Sequence, residues 1–173
     1  SMSNGQGHHT IYAQILAGKL GIPMESVHVI QGDTDDIAYG TGTGACRSII
    51  VGGSAVAETT DRLIEKGHEI AARLLEAAPE DVEFLDGRYN VAGTDRGVGF
   101  AGVVEHAGGL DARDRFQPSD FTYPNGTHCC ELEVDPETGA VALDRYTMVH
   151  DCGTPVNPML VVAQLQGGVV HGL

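Results

Sequence analysis

The sequence predicts an α+β fold, in which helices pack on antiparallel hairpins within a single domain over residues 1–173. Stretches with apolar residues at helical spacing interleave with short runs of alternating polarity. Turn signals stand at Asp86-Gly87 and at residues 135–139, each between two such runs. No regular βαβ repeat accompanies them, so a parallel α/β sheet is not expected.

The first elements are a helix and a strand. Residues 8–20 place Ile11, Ile15 and Leu16 on one helical face, and Gly21 followed by Pro23 ends that helix. Residues 27–30 alternate with a period of two and are expected to form a strand. An acidic, turn-rich loop follows at residues 32–36.

The central region contains the longest helix. It begins at Ser48 or Gly53 and runs to residue 77, and Pro79 stops it. Residues 82–84 and 89–91 flank the Asp-Gly turn and form a hairpin. A short helix over 100–106 and a loop over 108–119 come next.

The last elements are a long hairpin and a helix. Residues 127–134 and 140–150 alternate as two strands, and residue 157 caps a final helix that has proline at its first position. The periodic runs define an expected core: Ile11, Ile15, Leu16, Val29, Val56, Leu63, Ile70, Leu74, Val134, Val141, Val149 and Val161.

Charge and cysteine usage restrict the partners. The net charge of −14 argues against binding to nucleic acid or to an anionic membrane, which would repel the chain. The four cysteines contain no C-x-x-C pair, so neither a zinc ribbon nor an iron–sulfur cradle is encoded. Without a signal peptide, a transmembrane run or a disulfide framework, reduced thiols in the cytoplasm are expected.

Three glycine-rich segments carry the binding chemistry. The first anchor is residues 5–10, the Gly/Thr loop is residues 40–48, and the last anchor is residues 164–168. Glycine lets a ligand approach the backbone, while neighbouring amide, hydroxyl and guanidinium groups suit phosphate and heterocycle edges. Together they indicate one large, polyanionic cofactor held from several sides.

These segments and several shorter ones resemble, in order and spacing, the molybdenum-cofactor-binding large subunit of the xanthine dehydrogenase, aldehyde oxidase and aerobic carbon monoxide dehydrogenase family. The resemblance covers nearly the whole chain. The matching motifs are Gly5-Gln6-Gly7-His8-His9-Thr10, Gly32-Asp33-Thr34, Gly42-Thr43-Gly44-Ala45-Cys46-Arg47-Ser48, Gly52-Gly53-Ser54-Ala55, Glu131-Leu132-Glu133-Val134-Asp135, Asp151-Cys152-Gly153, Asn157-Pro158 and Gln164-Leu165-Gln166-Gly167-Gly168.

The resemblance implies a set of cofactor-binding residues. Gln6 would lie at the metal end of the cofactor, near molybdenum but not bound to it, while Gly7 and His8 would line the pterin or diphosphate through the backbone. The residues expected to hold phosphate or nucleotide, or to complete the cage, are Thr43, Cys46, Arg47, Ser48, Cys152, Gly153, Asn157 and Gln164. The family usually has serine where Cys46 stands, which favours a backbone role at that position.

The resemblance also implies an activity and partners. The family hydroxylates aldehydes, N-heterocycles or similar small substrates with water-derived oxygen, using molybdopterin, usually as its cytosine dinucleotide in bacteria. Iron–sulfur clusters and a flavin sit on other subunits or domains. The general-base glutamate and half of the cofactor cage would lie outside this chain, so it is expected to be a piece truncated at both ends. Such a piece is expected to be inactive alone, to hold no cofactor tightly, and to dock on the rest of its subunit or self-associate.

Other interpretations of these residues stay open beside this one. The chain could be a non-catalytic phosphate- or nucleotide-binding module, or a purely structural piece. The first anchor resembles a dinucleotide fingerprint, but its third glycine and a preceding complete strand are missing. Adjacent His8 and His9 point in different directions from a helix start, which argues against a shared metal, and the acidic loop at 32–36 lacks the glycine and closing glutamate of an EF-hand.

Overall fold

The computed structural model describes residues 1–37, 39–40 and 42–173. In these residues four α-helices interleave with two antiparallel sheets of three and two strands. The predicted α+β class, with helices and antiparallel hairpins, is confirmed. Thr41 of the Gly/Thr loop lies outside the described residues.

The first helix, α1, spans His8–Leu20 and ends at Gly21, as predicted. Gly21 has φ 63° and its N–H bonds the carbonyl of Ala17, which is a left-handed helix end. A Cβ at Gly21 would stand 2.6 Å from the Cα of Gly87, so the helix end and the Asp86-Gly87 turn meet backbone to backbone. The two glycines therefore set how closely α1 approaches the hairpin.

The long central helix is split in two. Residues Ser48–Gly53 form a π-helix, and α2 follows as an α-helix over Ser54–Leu74, three residues shorter than predicted. Glu76 has φ 47°, which turns the chain out of the helix. Leu74 is consequently 36% exposed, so its prediction as a core residue was wrong.

The three-stranded sheet lies against α2. Strands β1 (Val82–Leu85) and β2 (Arg88–Val91) form the predicted hairpin, and β3 (Gly97–Gly99) adds a strand that was not predicted. Helix α3 (Phe100–Ala107) follows directly, as expected. The main core joins these elements; its buried residues are Leu20, Ala71, Ala72, Val82, Tyr89, Val91, Phe100 and Val103.

The long hairpin stands apart from this core. Strands β4 (Asn125–Val134) and β5 (Val141–Asp151) pair antiparallel, with an irregularity between Glu131 and Leu132. Both faces of β4 are exposed, and Val134, Val141 and Val149 are exposed by 52%, 65% and 70%. Their prediction as core residues was wrong, because alternation specifies a face but not what covers it.

The remaining predictions concern one strand, the last helix and the rest of the core, and they have different outcomes. Residues 27–30 have no regular secondary structure and pair with no described strand, so the predicted strand was wrong. The last helix, α4 (Pro158–Gly172), starts as predicted, since the Asn157 side chain accepts the Leu160 N–H at 3.1 Å. Ile11 is buried as expected. The other predicted core residues are half-buried: Ile15, Leu16, Val29, Val56, Leu63, Ile70 and Val161.

Candidate functional site

The first anchor forms the N-terminus of α1. Gly7 is the N-cap residue with φ 82°, and no side chain caps the helix start. A Cβ at Gly7 would stand 2.8 Å from Cδ1 of Leu160, so α4 closes on this glycine. The Ile11 N–H donates to the Gly7 carbonyl, which is the first backbone bond of the helix. No side chain caps the N–H groups that precede it in the first turn. Such a helix start, with its positive dipole end, suits an anion.

Gln6 is tied to the N-terminal segment. Its Oε1 accepts the Asn4 N–H and, at 3.5 Å, the Ser3 hydroxyl, while its Nε2 donates to the Met2 carbonyl at 3.4 Å. A side-chain amide carries two N–H groups, and only one is used in these contacts. The amide can therefore make one further donation without losing the bonds that orient it.

Thr43 joins the Gly/Thr loop to the same N-terminal segment. Its hydroxyl accepts the Met2 N–H at 3.0 Å and donates to the Met2 carbonyl at 2.6 Å. The single hydroxyl proton is used in the second bond, so the Thr43 side chain offers no free donor to a ligand. Its place in the site is to hold the loop beside the first anchor.

Cys46 and Arg47 lie at a tight turn. Ala45 and Cys46 have φ 52° and 55°, a left-handed conformation that is uncommon for residues other than glycine. The Arg47 N–H bonds the Gly44 carbonyl at 3.3 Å, and the Arg47 carbonyl accepts the Val51 N–H at 2.8 Å. Cys46 and Arg47 are both exposed, with Arg47 directly before the π-helix that starts at Ser48.

His8 is almost wholly enclosed, with 1% of its surface exposed. Its Nδ1 lies 3.3 Å from Nε2 of Gln31, its Nε2 has no partner, and its ring centroid is 5.0 Å from that of Tyr12. Burial lowers the pKa of His8, the Gln31 contact opposes this, and the positive charges of the N-terminus and His9 lower it further. His8 is therefore neutral at pH 7 and supports the helix start from inside. No group of three metal-ligating side chains occurs within the part of the chain that the structure describes.

The start of α4 contacts α1, the helix that the first anchor begins, whereas the last anchor lies further along α4. Asn157 donates through Nδ2 to Oε1 of Gln14 at 2.9 Å, which docks the start of α4 on α1. Cys152 and Gly153 precede it in an exposed turn, where Gly153 has φ 72° and its N–H bonds Asp151 at 2.9 Å. Gln164 lies further along α4, and lines a cavity of about 200 Å³ between that helix and the hairpin.

The geometry thus joins some predicted residues and separates others. The segment carrying Gln6 is bonded to the loop carrying Thr43, and α4 reaches α1 through Asn157 and Leu160. Gln164 instead faces His128 and Tyr146, whose side chains lie 3.0 Å apart. Tyr12, Gln14 and Gln31 also hold these segments, although none of the three was predicted as a site residue. Tyr12 and Gln14 lie on the helix that the first anchor begins, and Gln31 directly precedes the Gly32-Asp33-Thr34 motif. These positions were the available signals.

Comparisons with known proteins agree with these observations. The molybdopterin cofactor-binding domain family matches residues 1–173. The carbon monoxide dehydrogenase large chain of Hydrogenophaga pseudoflava is 38% identical over 99% of this chain and 23% of its own length. The nicotine 6-hydroxylase large subunit of Paenarthrobacter nicotinovorans is 36% identical over 99% of this chain and 22% of its own length.

Solved structures show the same fold. A Cu,Mo-CO dehydrogenase aligns with a TM-score of 0.91 at 34% identity, over 97% of this chain and 22% of the other. Quinoline 2-oxidoreductase from Pseudomonas putida 86 aligns with a TM-score of 0.84 at 36% identity, over 96% and 23%. The chain therefore spans less than a quarter of the length of the relatives it matches. It belongs to the molybdopterin cofactor-binding domain family, as the resemblance predicted.

Proposed function

We propose that this chain forms part of the wall that holds a molybdopterin cofactor in a molybdenum-dependent oxidoreductase. The observation that carries the proposal is the start of α1. Its first N–H groups have no capping side chain, and they follow Gly7, where Leu160 of α4 leaves no room for a side chain. The Gly/Thr loop is bonded to the segment that precedes this helix start. An anionic group can therefore meet the first turn of α1 and the loop from adjacent sides.

The residues present fit such a cofactor. The helix start at Gly7 has no capping side chain, and the exposed Arg47 supplies a guanidinium suited to phosphate. Gln6 retains one amide N–H for the metal end of the cofactor. Cys46, Ser48, Cys152 and Gly153 would contribute mainly backbone groups, and Asn157 would act by docking α4. Gln164 would complete the cage from the other end of α4.

The cofactor would supply hydroxylation of a C–H bond with water-derived oxygen, and this chain would bind and orient it. The substrate would be an aldehyde, an N-heterocycle or a similar small molecule, and the names of the nicotine and quinoline relatives support the N-heterocycle. We further propose the cytosine dinucleotide form of the cofactor, partner subunits or domains with iron–sulfur clusters and a flavin, and a cytoplasmic location. The general base would come from outside residues 1–173. No helix in the described part of the chain has the length and apolarity needed to cross a membrane.

The test is cofactor analysis of the full-length protein. After expression in a host that makes molybdopterin dinucleotides, molybdenum is measured by elemental mass spectrometry. The pterin is identified by the fluorescence of its oxidised form, and the nucleotide is released by hydrolysis. About one molybdenum and one pterin per chain, with dye-linked oxidation of one member of a substrate panel, is the expected result. Pure, folded protein without molybdenum or pterin would contradict the proposal.

A further inference from the structure

One buried hydroxyl connects α1 to the Gly/Thr loop. Tyr12 lies one turn into α1, is 6% exposed, and donates from its hydroxyl to the Ser48 carbonyl at 3.0 Å. The Ser1 hydroxyl is 3.2 Å from the Tyr12 hydroxyl oxygen and donates to it, since the Tyr12 proton is already engaged with Ser48. Tyr12 thus ties the helix of the first anchor to the residue that follows Cys46 and Arg47.

The connection ends on an unusual piece of backbone. Ser48 begins the π-helix Ser48–Gly53, a geometry that is rare and often found at functional sites. Gly52 belongs to the same turn, and a Cβ there would overlap the Tyr12 hydroxyl oxygen and stand 2.8 Å from Cζ. The tyrosine therefore fits against the π-helix only because residue 52 has no side chain.

The chain contains a second arrangement of this kind. Tyr89 donates to the Ile64 carbonyl at 2.8 Å, and a Cβ at Gly67 would overlap its hydroxyl oxygen. This pair joins the three-stranded sheet to the middle of α2 inside the main core. Both tyrosines are buried and both bond a helix carbonyl beside a glycine, but only Tyr12 lies between segments proposed to hold the cofactor. Tyr89 is consequently a matched control.

We propose that Tyr12 is a positioning residue, which fixes the Gly/Thr loop against the start of α1 so that both grip one cofactor. The inference rests on the proposed function. Without the Tyr12 bond, the π-helix can return to α-helical bonding. An α-helix turns by about 100° per residue, so removing the one extra residue of the π-helical turn would rotate residues 46–48 by about 100° around the axis of α2. Arg47 would then face away from the helix start that it is proposed to complement.

The test uses the full-length, cofactor-loaded protein and the variants Tyr12→Phe and Tyr89→Phe. Each variant loses one hydroxyl and keeps its ring. Three quantities are measured: the urea midpoint, hydrogen exchange at residues 48–53 and 64–67, and the half-time of pterin release into buffer. We expect both variants to lower the midpoint. Tyr12→Phe alone should raise exchange at 48–53 and speed pterin release several-fold to about tenfold, the range of one net hydrogen bond.

The outcomes separate this inference from the proposed function. Wild-type release from Tyr12→Phe, or equally fast release from Tyr89→Phe, would overturn the role of Tyr12 while leaving the cofactor assignment intact. Wild-type protein that holds no pterin would overturn both. If Tyr12→Phe does not fold, Gly52→Ala displaces the hydroxyl from Ser48 and is expected to speed release likewise; unchanged release from a folded Gly52→Ala would also refute the role of Tyr12.

Discussion

Replacing Gly67 with alanine tests how closely α2 packs on the three-stranded sheet. Helix propensity alone would make the change favourable by about 1 kcal/mol. The structure predicts the opposite sign, because the new Cβ would overlap the Tyr89 hydroxyl and stand 2.9 Å from Cζ of a side chain that is 0% exposed. Overpacking a core costs about 1–3 kcal/mol, and a hydroxyl forced off the Ile64 carbonyl loses a buried hydrogen bond worth about 1 kcal/mol or more. A net loss of about 1–4 kcal/mol in the free energy of unfolding is expected.

Equilibrium urea unfolding followed by circular dichroism measures this loss. Gly18→Ala is the matched control, since Gly18 lies in α1 with nothing within 4 Å of an added Cβ, and it should stabilise the chain by up to about 1 kcal/mol. In a Tyr89→Phe background the cost of Gly67→Ala should shrink, because the overlapping oxygen is gone. A Gly67→Ala variant as stable as wild type would refute the close packing described here.

Three further predictions concern the site and the surface. Burial lowers the pKa of His8 below its ordinary value of 6.5, so the unfolded chain takes up the proton first. The contribution of neutral His8 to the free energy of unfolding should therefore be fully present above about pH 6.5, and it should be lost as the pH falls below that value. A plot of the urea midpoint against pH should become flatter below about pH 6.5 in the His8→Gln variant. An unchanged slope in that range would exclude His8 as its source. In the full-length protein, Gln6→Ala should lower turnover far more than it destabilises the fold, since the amide is proposed to meet the cofactor while its loop contributes little packing. Normal turnover with normal molybdenum content would remove Gln6 from the site. The 173-residue chain should self-associate, because Met159 and Val170 on α4 are 72% and 75% exposed. Light scattering that shows a monomer at high concentration, with no binding of a hydrophobic dye, would contradict this.

The features that could be predicted from the sequence are those whose physics is local. Gly21 ends α1 because glycine adopts positive φ without strain, and Asn157 starts α4 because its side chain reaches the N–H of Leu160. Asp86 and Gly87 both have positive φ, at 49° and 76°, as a tight hairpin turn requires. The order of glycine-rich motifs was enough to identify the family.

The features that could not be predicted depend on contacts between distant residues. Residues 27–30 alternate like a strand, but the sequence of that segment does not determine whether a neighbouring strand pairs with it. The π-helix at Ser48–Gly53 is bonded at its first residue by the Tyr12 hydroxyl, which lies 36 residues earlier in the chain. Thr43 looked like a phosphate donor, and only the structure shows its hydroxyl engaged with Met2. The valines of the long hairpin alternate correctly, yet the described residues leave their faces open.

An experimental structure of the full-length protein with its cofactor bound tests the central claim most directly. We expect pterin or phosphate atoms about 2.7–3.2 Å from the N–H groups of the first turn of α1 and from groups of residues 46–48. We also expect the Tyr12 bond to Ser48 to persist in that structure. A cofactor bound elsewhere, with no contact to either the start of α1 or the Gly/Thr loop, would contradict the account.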